Sequence, residues 1–199
     1  MLPEARPNPF AGHYYGSEEL REFGFKQVGK NVRIHSKASI YRPENIELDD
    51  NIRIDDFTVI VATGPLRIGS FVNITNFCFL GTRNGIRIGD FVMMAPSVKL
   101  FSVSDDYTGA RGLAGAVVPR ELTACSEGPV EIGRHAIVGA NSVVLPNVTV
   151  GEGVALGAFS LASMSLEPWG IYAGVPARRL KDRGREIERL GQIAFEHAR

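Results

Sequence analysis

Ile132-Gly-Arg-His-Ala-Ile137, Val138-Gly-Ala-Asn-Ser-Val143, Val144-Leu-Pro-Asn-Val-Thr149, Val150-Gly-Glu-Gly-Val-Ala155, Leu156-Gly-Ala-Phe-Ser-Leu161 and Ala162-Ser-Met-Ser-Leu-Glu167 follow one another without a gap. An aliphatic residue opens five of these six hexads, and a glycine follows it in four. No amphipathic helix has a period of six. An aliphatic residue at every sixth position, with a small or β-branched residue four places later, instead suits a coil with three short flat sides. The aliphatic residue then points inward on each side, and glycine or asparagine serves the tight corners. Three hexads make one turn of a triangular prism, so this stretch predicts two full turns of a parallel β-helix.

Upstream the pattern continues at a longer step. Val28, Leu48, Ile68 and Ile88 are 20 residues apart, with inward positions expected at Ile34 and Ile40, Ile54 and Ile60, Ile74 and Leu80, Met94 and Leu100. The period is 18 plus two, and the two extra residues fall on the third corner. The turn-forming pairs Pro43-Glu44, Gly64-Pro65 and Asn84-Gly85 stand there. From Ile88 to Ile132 the step is 44, so 24 extra residues leave by that same corner as one long loop. A loop of this length in a compact fold is usually functional.

The chain therefore reads as one elongated all-β unit. An N-terminal arm and short helix occupy 1–27, the helix over Glu18–Phe23 with Ser17 as its cap. The β-helix covers 28–167 with loop 104–129 protruding. A connector and a charged helix from about Ala177 to His197 make up 168–199 and cap the open end, as a solenoid requires. Twenty-two basic and 22 acidic residues balance to zero, so nothing advertises attraction to nucleic acid or to a membrane surface. Met1–Phe10 carries prolines and charges instead of an apolar signal segment, and no apolar run has membrane-spanning length. Cys78 at an inward position and Cys125 in the loop need no disulfide, which fits a cytoplasmic protein with reduced thiols.

With the hexads, Ser142-Val-Val-Leu-Pro-Asn-Val-Thr-Val-Gly151 and Ala173-Gly-Val-Pro-Ala-Arg-Arg-Leu-Lys181 in view, the chain resembles the hexapeptide-repeat acyltransferases. The similarity is to the branch holding galactoside, maltose and xenobiotic O-acetyltransferases, and it runs over about residues 25–182. It implies a left-handed parallel β-helix, a homotrimer with active sites between adjacent subunits, and acetyl-CoA as co-substrate with no metal. The acceptor it implies is a sugar or nucleotide sugar, acetylated on a hydroxyl or an amine, in surface polysaccharide or small-molecule glycan biosynthesis. By position, the resemblance implies that the backbones of Ala140 and Ala158 contact the pantetheine arm. Ser163 matches a position that is often threonine. Met164 replaces a common lysine and removes one phosphate contact. Arg178 and Lys181 match the basic pair at the adenosine phosphates, where two cations suit the charge. Asn76 matches an asparagine that helps to hold the acceptor.

The family's catalytic histidine is missing. Ungapped matching through Ser97-Val-Lys-Leu100 puts Asp105 in its place, and the loop contains no histidine. An aspartate with an unperturbed pKa of ~4 is a weak base at pH 7, unless Asp106 or burial raises it. Asp106 and Tyr107 are close enough to share the role. Ser104-Asp-Asp-Tyr-Thr-Gly109 is similar to the Ser-Asp-Asp-Tyr-Ser-Gly of certain sugar-cluster acyltransferases, so the motif marks a branch. His135 is the competing base. As the fourth residue of its hexad it follows Asn51, Phe71 and Phe91, and a ring stacked on that column explains it without chemistry. Two other classes stay open: a catalytically silent scaffold or regulatory subunit, because the usual base is absent, and a γ-class carbonic anhydrase, which needs three histidines per zinc.

Overall fold

The computed structural model describes residues 12–198; the prolines and charges read in Met1–Phe10 lie outside the described residues. Parallel strands stack into three sheets that form the faces of a left-handed β-helix. The first face runs through Arg33–His35, Ile52–Ile54, Val72–Ile74, Met93–Met94, Ile137–Val138, Ala155–Leu156 and Gly170–Ala173. The second takes Ser39–Tyr41, Val59–Val61, Phe79–Gly81, Lys99–Phe101, Val143–Val144 and Leu161–Ala162. The third takes Gln27–Val28, Ile46–Leu48, Leu66–Ile68, Ile86–Ile88, Val130–Ile132 and Thr149–Val150.

The register follows the two periods. Ile34 pairs with Ile54 and Ile54 with Ile74 at a step of 20 residues, whereas Ile132 pairs with Val150 and Val138 with Leu156 at 18. Ile88 pairs with Ile132 across the whole excursion. Each inward aliphatic side chain thus lands on another, and Ile74, Ile132 and Val138 are all buried. Burying such a side chain contributes roughly 1.5–3 kcal/mol, repeated on every side of every coil. Cys78 is buried among them, and desolvation pushes its thiol up to about 11, which leaves it unreactive.

The corners differ from expectation. Asparagine does stand at several, but Phe57, Phe71, Phe77, Phe91, His135, Phe159 and Trp169 also take left-handed backbone angles, with φ between 55° and 60°. For a non-glycine residue that conformation costs roughly 1–2 kcal/mol. Stacking offsets it: Phe71 lies 4.8 Å from Phe91, Phe91 lies 5.0 Å from His135, and Phe57 lies 5.1 Å from Phe77, all nearly coplanar. A favourable ring pair is worth about 0.5–1.5 kcal/mol. Gly153 interrupts the column because a Cβ there would stand 2.4 Å from the Trp169 indole.

Three terminal expectations are corrected. The first helix, α1 (Ser17–Glu22), is capped by Gly16, whose N–H donates to the Glu19 carboxylate at 2.9 Å. The Ser17 hydroxyl accepts from Val32 N–H instead, and Leu20 is buried against the first coil. Residues 178–182 are a strand, Arg178–Asp182, folded back antiparallel on Gly170–Ala173, because Gly174 takes φ +102° and turns the chain. The last helix, α2, spans only Glu186–His197. It lies along the corner between the third and first faces, where Arg185 covers Trp169, Gly191 abuts His135 and Phe195 meets Phe91 and Phe71 edge-on. It straps the side of the prism, and the Gly170–Asp182 hairpin ends the stack. No described helix is long and apolar enough to cross a membrane.

Candidate active site

The excursion leaves the corner after the second face as a hairpin, with Val103–Asp105 antiparallel to Cys125–Glu127. Gly128 N–H donates to Ser102 C=O at 3.1 Å, which ties both ends to the coil. Asp105 is therefore held within a few residues of a rigid strand. Between hairpin and prism lies an open cleft of about 1340 Å³. The prism supplies apolar outward residues, Phe101, Val143, Leu145 and Leu161, together with Ser163; the loop supplies Asp105, Tyr107, Cys125 and Glu127.

The adjacent carboxylates Asp105 and Asp106 have different surroundings. Asp105 is exposed to the cleft, and among the described residues its Oδ1 accepts only a long 3.8 Å contact from the Cys125 thiol opposite. Asp106 is 6% exposed and ties the loop together. Its Oδ1 accepts from Thr108 Oγ1 at 2.7 Å and Thr108 N–H at 3.1 Å, and its Oδ2 accepts from Arg111 N–H at 2.9 Å. Those bonds, the Thr108 hydroxyl first, hold Asp106 below the usual carboxylate range. It stays ionised and occupied, a loop brace with little basicity left to offer.

Tyr107 stands 92% exposed at the cleft lip. His135 is on another corner, 4% exposed beneath α2, with its Nε2 unpaired. Desolvation, then the neighbouring Arg134, lowers its pKa. No histidine lines the cleft among the described residues.

The remaining expected positions fall into two groups. Asn76, Ala140 and Ala158 occupy one column on the corner between the first and second faces, because Ile74, Val138 and Leu156 two residues before them share one sheet. Asn76 is half-buried, Ala158 exposed, and the Ala140 carbonyl accepts from Phe159 N–H at 2.8 Å. None of the three lines the cleft, whereas Ser163 does. Arg178 and Lys181 are exposed on the terminal hairpin. The register pairs Arg178 with Ala173, Arg179 with Tyr172 and Lys181 with Ile171, leaving Leu180 as a bulge. This bulge resets the alternation and brings Arg178 and Lys181 to one side of the ribbon. Arg179 and Asp182 share the other side, joined at 2.7 Å. Two cations thus share one exposed side, with no carboxylate partner among the described residues, an arrangement suited to a polyanion.

Known proteins share this repeat pattern and fold. Residues 129–161 match the family model described as bacterial transferase hexapeptide (six repeats). The dTDP-4-amino-4,6-dideoxy-D-glucose acyltransferase of Escherichia coli is 35% identical over 181 residues, covering 90% of this chain and 94% of that one. The chain belongs to the hexapeptide-repeat acyltransferases. The galactoside O-acetyltransferase of Escherichia coli is 31% identical over 100 residues, covering 49% of this chain and 44% of that one. Among solved structures, AntD, an N-acyltransferase from Bacillus cereus in complex with dTDP and 3-hydroxybutyryl-CoA, superposes with a TM-score of 0.89 and 39% identity. The match covers 94% of this chain and 98% of that one.

This hexapeptide-repeat acyltransferase is thus a CoA-dependent enzyme acting on a sugar. Among its described residues, no group of three His, Cys, Asp or Glu side chains is arranged to hold a metal ion. Sequence reasoning missed the apolar wall of Val143, Leu145 and Leu161, although the hexad pattern marks each as an outward neighbour of an inward residue. It also missed Arg83, Arg111 and Arg120 beside the cleft; no period places the two loop arginines.

Proposed function

We propose that the protein transfers an acyl group from acyl-CoA to the amine of a nucleoside-diphosphate-linked amino sugar, with Asp105 as the general base. The carrying observation is the cleft itself: an uncommitted carboxylate, Asp105, faces it, and no histidine does. A hydroxyl acceptor needs a base strong enough to share its proton as it attacks. An amine attacks the thioester carbonyl first and loses its proton afterwards, from a zwitterionic tetrahedral adduct whose N–H is strongly acidic. A carboxylate is basic enough for that step. The N–C bond forms, the proton passes from nitrogen to Asp105, and the adduct collapses by breaking C–S. The CoA thiolate departs and takes up a proton. Support comes from the dTDP-amino-sugar named for the Escherichia coli relative and the dTDP-4-amino-4,6-dideoxyglucose bound beside CoA in a Bacillus cereus AntD variant.

Within this reading Asp106 keeps the loop folded, Tyr107 offers a face to the acceptor, and His135 remains a packing residue. Arg178 and Lys181 hold the CoA phosphates, while Ser163, Ala140 and Ala158 flank the pantetheine arm. Asn76, Ala140 and Ala158 sit on a different corner from Asp105, so one subunit cannot bring them together. A homotrimer in which this corner faces the neighbour's loop completes the site, in the cytoplasm where acyl-CoA is found.

The test is an acyl-transfer assay with dTDP-4-amino-4,6-dideoxyglucose and acetyl- or 3-hydroxybutyryl-CoA, following release of the CoA thiol. Turnover should fall at least ~100-fold in Asp105→Asn with CoA affinity kept. Acylation of sugar hydroxyls but not of the amine refutes the acceptor class. An active Asp105→Asn alongside a dead, folded His135→Asn refutes the base.

A further inference from the structure

Three arginines border the cleft, and among the described residues only Arg111 has an ion-pair partner. Arg111 lies 3.6 Å from the Asp106 carboxylate and donates to Ser126 Oγ at 3.2 Å. Arg83 and Arg120 have no carboxylate within ion-pair distance among the described residues. They come from separate, backbone-fixed positions. Arg83 sits in the corner one coil below the hairpin root, where Gly85 N–H donates to Thr82 C=O at 2.7 Å and Asn84 N–H to Ser102 Oγ at 2.9 Å. Arg120 opens the 3-10 turn Arg120–Leu122, and its carbonyl accepts from the Thr123 hydroxyl at 2.9 Å. Two guanidiniums from different elements, both lining one cleft, match an anion with oxygens on more than one centre. At about 1340 Å³ the cleft exceeds the ~300–1000 Å³ usual for one small ligand. It has room for an acceptor larger than a free monosaccharide beside the acyl-pantetheine arm.

We propose that Arg83 and Arg120 clamp the diphosphate of the acceptor, and so make a nucleoside-diphosphate link, not the sugar alone, the entry requirement of this site. The inference rests on the amino-sugar reading above. With the reacting amine at Asp105, the anomeric oxygen and its diphosphate lie across the pyranose ring. Arg83 and Arg120 line the same cleft as Asp105, on elements other than the strand that carries it.

Calorimetric titration with dTDP tests the clamp in the full-length protein, against Arg83→Gln, Arg120→Gln and their double variant. Arg87→Gln, on the outer side of the third face, is the control. Each cleft variant should bind dTDP roughly 5–30-fold more weakly, on the scale of one lost charge-assisted bond. Arg87→Gln and CoA binding should be unchanged. Arg83→Lys and Arg120→Lys, which keep charge but not the fork, should fall in between. If wild type binds dTDP and the double variant binds it within twofold, the clamp is refuted and the amino-sugar reading survives. If wild type takes no dTDP yet acylates a free amino sugar, both the clamp and the nucleotide-linked acceptor fail. A double variant that loses CoA binding together with dTDP, while both Lys variants match wild type, also refutes the clamp, since the loss is then structural.

Discussion

Replacing His135 with phenylalanine separates packing from chemistry. His135 is 4% exposed, stacked 5.0 Å from Phe91, and its Nε2 has no hydrogen-bond partner. A buried, unsatisfied polar group costs about 1–3 kcal/mol, which a phenyl ring avoids while extending the Phe71–Phe91 column. The larger ring presses on Gly191, and overpacking takes back about 1 kcal/mol. A net gain of about 1 kcal/mol is expected, or roughly 2–4 °C in Tm for a chain of this size. The pH dependence gives a sharper reading. Burial lowers the pKa of His135 in the folded state, so below the ordinary histidine value of 6.5 the unfolded chain takes up a proton that the folded chain resists. The stability contributed by the neutral ring is complete above pH 6.5 and is lost as pH falls through the folded pKa. The slope has a ceiling of about 1.4 kcal/mol per pH unit for one proton. Urea midpoints measured from pH 7.5 to pH 5 should decline in wild type and stay flatter in His135→Phe, with acyl transfer retained. Parallel pH profiles would refute the buried-imidazole argument, and loss of transfer in a stable variant would make His135 the base.

Ile132→Ala should cost about 2–5 kcal/mol in a denaturation series, since Ile132 is 1% exposed and packs between coils; a loss under 1 kcal/mol would contradict the register. Arg178→Ala should weaken CoA binding by ~1–2 kcal/mol by calorimetry, and Arg179→Ala, on the opposite side of the ribbon, should not. Asp106→Asn should leave the loop amides of Thr108 and Arg111 faster to exchange with deuterium and raise KM, because those N–H groups donate to its carboxylate. Unchanged exchange would remove the brace.

The fold was legible because a β-helix writes its period into the chain. Val28, Leu48, Ile68 and Ile88 announce each coil, and the 44-residue step announces the excursion. The hairpin inside that excursion was not legible: its hydrogen bonds join backbone groups across polar, glycine-rich sequence that carries no alternation. The different roles of Asp105 and Asp106 were hidden for the same reason, since only the loop's path decides which carboxylate meets Thr108 and Arg111. Residues 178–182 read as helix because Leu180, Ile187, Leu190 and Ala194 stand at helical spacing, yet the bulge at Leu180 and the turn at Gly174 are backbone events with weak sequence marks. Phenylalanines at left-handed corners violate a local preference, and the compensation comes from a ring 20 or 44 residues away.

The pairing of Ile88 with Ile132 means that the prism does not register how much chain lies between Ser102 and Gly128. Closing a longer loop costs only ~0.6 kcal/mol for each doubling of its length, and none of that cost falls on the buried stack. The prism and the excursion are therefore free to change independently. The scaffold is held by a repeating lattice that tolerates little, while the excursion hangs from a single corner and can be rewritten whole. One hairpin can be exchanged for another with no renegotiation of the core.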